Sequence, residues 1–244
     1  MFSGMTTSFA PVPESSILPA TGLPPSRLRN VDLAGPEGRL EALLNEGVAA
    51  APYAALLCHP HPKGGGAMHN KVVYHAMKVF NDPAWGFGWP VLRFNFRGVG
   101  LSQGAHHGSD EAADVLAALE WLKEEFKLPI VVAGFSFGAA MSLMACCGQN
   151  ELKCAPSALI ALGLPTHAEG RDYHYRFLAQ CQIPKLFLSG DHDQFAPPAQ
   201  LTQVAQSASD PKTLLLIPGA DHFFSDQLVE MQQSLSLWLK EQFK

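Results

Sequence analysis

The chain has 244 residues, 47% of them hydrophobic and 16% charged, which is a globular balance rather than a disordered one. A formal net charge of −5 leaves no basic footprint for nucleic acid. No apolar stretch reaches membrane-spanning length and the first residues lack the pattern of a secretory signal, so a soluble cytoplasmic protein without a membrane partner is expected.

Residues 1–26 are rich in Pro, Ser, Thr and Gly and show no apolar period, which predicts a flexible arm outside the fold. Leu28–Leu33 and Gly38–Asn45 then alternate around the turn Gly35–Gly38, the pattern of a β-hairpin. Six short apolar runs follow: Tyr53–Cys58, Pro90–Phe96, Ile130–Ala133, Ala158–Leu162, Lys185–Leu188 and Thr213–Ile217. Their length and continuity predict strands buried on both faces. Between and after them, Asn70–Phe80, Ser109–Phe126, Phe137–Cys147, Pro197–Ser207 and Ser225–Phe243 carry apolar residues at helical spacing. Such alternation predicts one α/β domain over 27–244, with a mostly parallel sheet, an N-terminal antiparallel hairpin and helices on both faces. A short segment at about 163–183 is the one stretch able to act as a lid. The five cysteines, Cys58, Cys146, Cys147, Cys154 and Cys181, include no C-x-x-C pair and are expected as free thiols in a reducing compartment.

The pattern G-x-S-x-G occurs twice, at Gly134–Gly138 and at Gly100–Gly104. Alone it is weak, since roughly one chain in ten of this length contains it by chance. Context separates the two. A nucleophile elbow needs a buried strand, a strained Ser and a helix that starts at once. Leu128–Ala133 before Ser136 and Ala139–Ala145 after it supply both, whereas Ser102 lies in an extended glycine-rich loop. The pair Gly98 and Gly100 also invites a dinucleotide-binding reading, but Gln103 stands where the third glycine belongs.

Serine needs a histidine to take its proton and a carboxylate to orient that histidine, in the order Ser, Asp/Glu, His along this kind of sheet. His222 follows the last strand and precedes the last helix, at the sheet edge where ligands bind. The strand before it leads into Asp191 and Asp193, two candidate acids two residues apart; Asp221, beside the histidine, is a poor orienter. For the developing oxyanion, one N–H donor is that of Phe137, the residue after the nucleophile. The other belongs in the loop His59–Gly66. Pro60 and Pro62 have no N–H, which leaves His61 first and Lys63 second. A metal site at His59, His61 and His69 lacks acidic partners, so no metal is expected.

His59–Pro62 with Gly64–Gly65, the segment Asn95–Gly104, the Gly134–Gly138 elbow and Gly219–Phe224 together resemble small, nearly capless members of the α/β-hydrolase superfamily related to the dienelactone hydrolase-like group. Gly190 to Pro197 resembles that superfamily's G-x-x-D-x-x-x-P acid loop, which puts the acid at Asp193 and leaves Asp191 to hold the loop. The resemblance implies a Ser136–Asp193–His222 triad with His61 and Phe137 as backbone oxyanion donors. It also implies a serine hydrolase for carboxylic esters of small or medium acyl groups, acting on a small-molecule substrate without a cofactor. Dienelactone hydrolases proper carry cysteine at the elbow, so dienelactone specificity is not implied. Phe135, Leu164, Pro165 and Phe223 are expected to line the substrate pocket. Thioesters or small amides are alternative substrates of the same chemistry, and a non-catalytic ligand-binding protein is the alternative outside it.

Overall fold

A computed structural model describes residues 27–148, 152–168 and 171–243; the arm expected at 1–26 lies outside them. The alternating residues of the hairpin form β1 (Leu28–Gly35) and β2 (Gly38–Asn45), paired antiparallel from Leu28↔Asn45 to Gly35↔Gly38. The apolar runs form β3 (Ala54–Cys58), β4 (Val91–Phe94), β5 (Ile130–Phe135) and β6 (Ala158–Leu162). A two-residue ladder, β7 (His167–Ala168) with β8 (Arg171–Asp172), precedes β9 (Lys185–Gly190) and β10 (Lys212–Ile217). Among the described residues, eight strands join in the order β1-β2-β4-β3-β5-β6-β9-β10. The pairings within β1-β2-β4 are antiparallel and those from β4 to β10 are parallel.

Among the described residues, five α-helices cover the sheet: α1 (Lys71–Asn81), α2 (Ala112–Phe126), α3 (Phe137–Cys147), α4 (Pro198–Ser207) and α5 (Leu228–Gln242). Strand side chains alternate between faces, so β3, β4, β5, β6 and β9 each feed two cores. Ala54, Leu56 and Cys58 of β3 pack with Val115 and Leu119 of α2, Ala139 and Leu143 of α3 and Leu201 of α4. Ala55 and Leu57 pack on the other face with Val72 and Phe80 of α1 and Met231 and Leu235 of α5. Helix α1 starts where Asn70 accepts hydrogen bonds from the N–H groups of Val72 and Val73, so Asn70 is its cap rather than its first residue. Helix α3 is buried almost all round, and small Ala139 and Ala140 let it lie close to β5.

Three expectations change. β10 is not buried on both faces: it is an edge strand of the sheet, paired only with β9, and five of its six residues are partly exposed. Helix α5 begins at Leu228, later than expected, because Phe224 and Asp226 adopt left-handed backbone (φ 53° and 59°). The free-thiol expectation fails for two cysteines. Cys147 at the end of α3 and Cys181 after the 3-10 turn Arg176–Gln180 form a disulfide, although 34 residues separate them. Packing of that turn against α3 brings their Cα atoms to 5.2 Å. This removes the argument from free thiols to a reducing compartment. Cys58, Cys146 and Cys154 are free. No helix among the described residues is long and apolar enough to cross a membrane.

Candidate active site

The sheet reverses its winding direction at β3, with β4 on one side and β5 on the other. Such a reversal opens a crevice at the C-terminal ends of the strands. Register aligns those ends: Cys58 pairs with Gly134, Phe135 with Leu162, and Gly190 with Ile217. The loops that leave them carry His61, Ser136, Asp193 and His222 into one place.

Ser136 joins β5 to α3 with φ 54° and ψ −117°, a backbone region that costs a residue with a side chain about 1–3 kcal/mol. Tight packing holds it there. A methyl on Gly134 would collide with the backbone of Gly138, and one on Gly138 would collide with the carbonyls of Cys58 and His59. The Ser136 N–H donates to Leu162 O (2.9 Å), tying the turn to β6. Ser136 itself is partly exposed, between buried neighbours.

His222 Nε2 lies 3.0 Å from Ser136 Oγ, and its Nδ1 lies 2.8 Å from Asp193 Oδ2. With Nδ1–H facing a carboxylate, the neutral ring leaves Nε2 free to accept the serine proton. His222 is 3% exposed and Asp193 2%. Asp193 is saturated: Oδ2 also accepts from Ser189 Oγ (2.9 Å), and Oδ1 accepts from the N–H groups of Phe195 (2.8 Å) and Ala196 (3.1 Å). These bonds fix the orientation of the buried carboxylate toward His222.

The two neighbouring acids do other work. Asp191 Oδ1 accepts from Gly219 N–H (2.6 Å), so it clasps the acid loop to the histidine loop rather than closing a turn of its own. The clasp is close enough that a methyl on Gly190 would strike Ala220 O. Asp221 accepts from the N–H groups of Phe223 (3.0 Å) and Ser225 (2.8 Å). Burial opposes its charge, but these bonds outweigh that and hold its carboxyl below the usual range.

Phe137 is the first residue of α3, where N–H groups have no partner within the helix and the macrodipole favours negative charge. The His61 ring meets the Phe137 ring edge-on at 4.8 Å, which draws the two loops of the expected oxyanion donors together. His61 Nδ1 accepts from Lys63 N–H (3.0 Å). The His106 ring completes this cluster, 4.7 Å from that of His61, and His106 Nδ1 lies 2.6 Å from a carboxylate oxygen of buried Glu111. His59 is committed at both nitrogens: Phe96 N–H donates to Nε2 (3.0 Å), so Nδ1 carries the proton and faces Pro60 O at 2.6 Å. Burial lowers its pKa to about 4. A neutral, doubly bonded ring of this kind pins the loop and leaves no lone pair for a metal.

The expected pocket residues divide. Phe135 (1% exposed) and Leu164 (0%) are sealed in the two cores, because the side chain of Phe135 points under His222 and that of Leu164 into the opposite layer. Pro165 is buried too, its carbonyl accepting from Tyr175 Oη (2.6 Å). Phe223 alone of the four is open to solvent, 50% exposed beside His222. Sequence reasoning missed Ser189 and Phe195. The one signal for Ser189 was a hydroxyl at the end of an otherwise apolar strand; Phe195 had none beyond its place in the acid loop.

A family model described as an alpha/beta hydrolase domain matches residues 54–239. A serine hydrolase without lid from Xanthomonas campestris is 31% identical and superposes with a TM-score of 0.75 over 91% of this chain and 97% of its own. An alpha-beta serine hydrolase homologue from Coxiella burnetii is 33% identical, with a TM-score of 0.73 over 86% of this chain and 97% of that one. An uncharacterised protein of Rickettsia prowazekii is 34% identical over 213 residues, covering 84% of this chain and 86% of its own length.

Proposed function

Because the chain belongs to the α/β-hydrolase family, we propose that it is a serine hydrolase cleaving carboxylic esters of small or medium acyl groups through an acyl-enzyme. One observation carries this reading: the unbroken hydrogen-bonded chain from Ser136 through His222 to a saturated, buried Asp193.

Ser136 Oγ attacks the acyl carbon while His222 Nε2 takes its proton, and Asp193 holds the imidazole and stabilises the imidazolium. The N–H groups of Phe137 and His61 receive the oxyanion, each worth about 3 kcal/mol in the transition state. His222 then protonates the leaving alcohol, and in the second half it activates water against the acyl-enzyme. No step requires a metal or an organic cofactor, and the partner is a small-molecule ester.

A fluorophosphonate probe tests the reading directly. Stoichiometric labelling at Ser136, lost in Ser136→Ala, is expected. A folded wild-type protein that takes no label would refute it and leave a ligand-binding role for the pocket.

A further inference from the structure

The proton that His222 takes from Ser136 returns to the leaving oxygen, so that oxygen must come within hydrogen-bond reach of Nε2. The group it carries therefore lies against whatever flanks the imidazole. Three phenyl rings do so: Phe135 at 5.0 Å, Phe195 at 4.7 Å and Phe223 at 5.1 Å between ring centroids. Phe135 is buried and closes the inner side. Phe195 is partly exposed and Phe223 half exposed, so each keeps a free face toward solvent.

Both outer rings ride on fixed backbone. The Phe195 N–H donates to Asp193 Oδ1, and its carbonyl accepts from the N–H groups of Thr166 (2.8 Å) and His167 (3.1 Å). The Phe223 N–H donates to Asp221 Oδ1, and the next residue, Phe224, is fully buried. Rigid aromatic surface gains contact at little entropic cost. On the oxyanion side the Phe137 ring is buried beneath the imidazoles of His61 and His106. Open phenyl surface is thus found where the alcohol leaves.

Resting on the hydrolase reading above, we infer that Phe195 and Phe223 are specificity-determining residues that select esters of aromatic alcohols. The alcohol's ring packs on theirs during acylation. In that step the Ser136 Oγ–acyl bond forms, the acyl–alkoxy bond breaks, and the alkoxy oxygen takes the His222 proton and departs as the alcohol. The acyl-enzyme keeps no part of the alcohol, so the selection acts on acylation.

The test compares benzyl acetate with ethyl acetate, which share an acyl group and have alcohols of similar acidity, using the full chain. Wild type is expected to favour the benzyl ester about thirtyfold in kcat/KM, and Phe223→Ala and Phe195→Ala each to lower that ratio about tenfold. Phe223→Tyr should restore most of it. A wild-type ratio near one, or a ratio that neither alanine variant moves, overturns the inference. So does an equal loss on both esters, which would make the rings mere supports of His222. Fluorophosphonate labelling separates the two levels. If Ser136 is labelled and both esters are cleaved without preference, only the specificity falls; if there is neither labelling nor cleavage, the hydrolase reading falls and takes the specificity with it.

Discussion

Ser136 and Ser102 sit in the same five-residue pattern and end in opposite chemical states. The Ser102 hydroxyl donates to Asn95 O (2.7 Å) and accepts from Glu41 N–H (2.9 Å), so its proton and a lone pair are both held by backbone, and the residue is 8% exposed. It fastens the loop after β4 to β2. The Ser136 hydroxyl instead faces an imidazole nitrogen from a partly exposed position on a strained turn. A backbone carbonyl does not take a proton from serine; an imidazole does. The pattern supplies a serine between glycines, and the group at the end of its hydrogen bond decides whether its proton has a base to go to.

The largest expected effect cuts this comparison in half. Ser136→Ala should lower kcat on p-nitrophenyl acetate by about a million-fold, while Ser102→Ala stays within a few-fold of wild type. The reverse result would exchange the roles of the two loops. Next comes the acid. Asp193→Asn leaves His222 in the wrong tautomer and should lose about ten-thousand-fold in kcat. Asp191→Asn keeps an oxygen that accepts from Gly219 and should lose about tenfold or less. Comparable losses would mean that the clasp between loops matters as much as the orienting bond.

A third effect is one of stability. His59 anchors Phe96, next to the Asn95 carbonyl that holds Ser102, so it braces the region where the hydroxyl is bonded to backbone. Its folded pKa of about 4 lies below the ordinary 6.5. Between those values the unfolded chain binds a proton that the folded chain does not, so stability falls as pH drops from 6.5 to 4. The full difference is roughly 3 kcal/mol, and none of it is lost above pH 6.5. Urea unfolding of wild type and His59→Gln at pH 7 and pH 4.5 measures it as the difference between the two slopes; parallel slopes would contradict the assignment. The smallest effect belongs to Ser102→Ala. It orphans the N–H of Glu41 and the carbonyl of Asn95 and should cost about 1–3 kcal/mol in the same assay.

Elements were legible wherever burial imposes a period. The hairpin, the six apolar runs and the five helices lie within a few residues of their expected places, because a strand or helix writes its buried face into the chain at fixed spacing. Errors fall where a side chain competes with the backbone period. The Asp221 carboxylate takes the N–H groups of Phe223 and Ser225 and holds back α5, and the Glu111 carboxylate takes those of His107 and Gly108 just before α2. Phe135 and Leu164 were misplaced for a related reason: nearness to Ser136 or to a strand end does not say which face a side chain points to.

From the chain alone came the order of elements and the residues able to do chemistry, since both follow from local burial and from side-chain type. Contacts between distant segments were decided by the tertiary structure. These are the bonds of His222 to Asp193 and Ser136, the clasp from Asp191 to Gly219, the Cys147–Cys181 disulfide and the ring of Phe195 beside His222. Each joins residues whose nearness is set by sheet register and helix packing, and local sequence has no period that records who sits opposite whom.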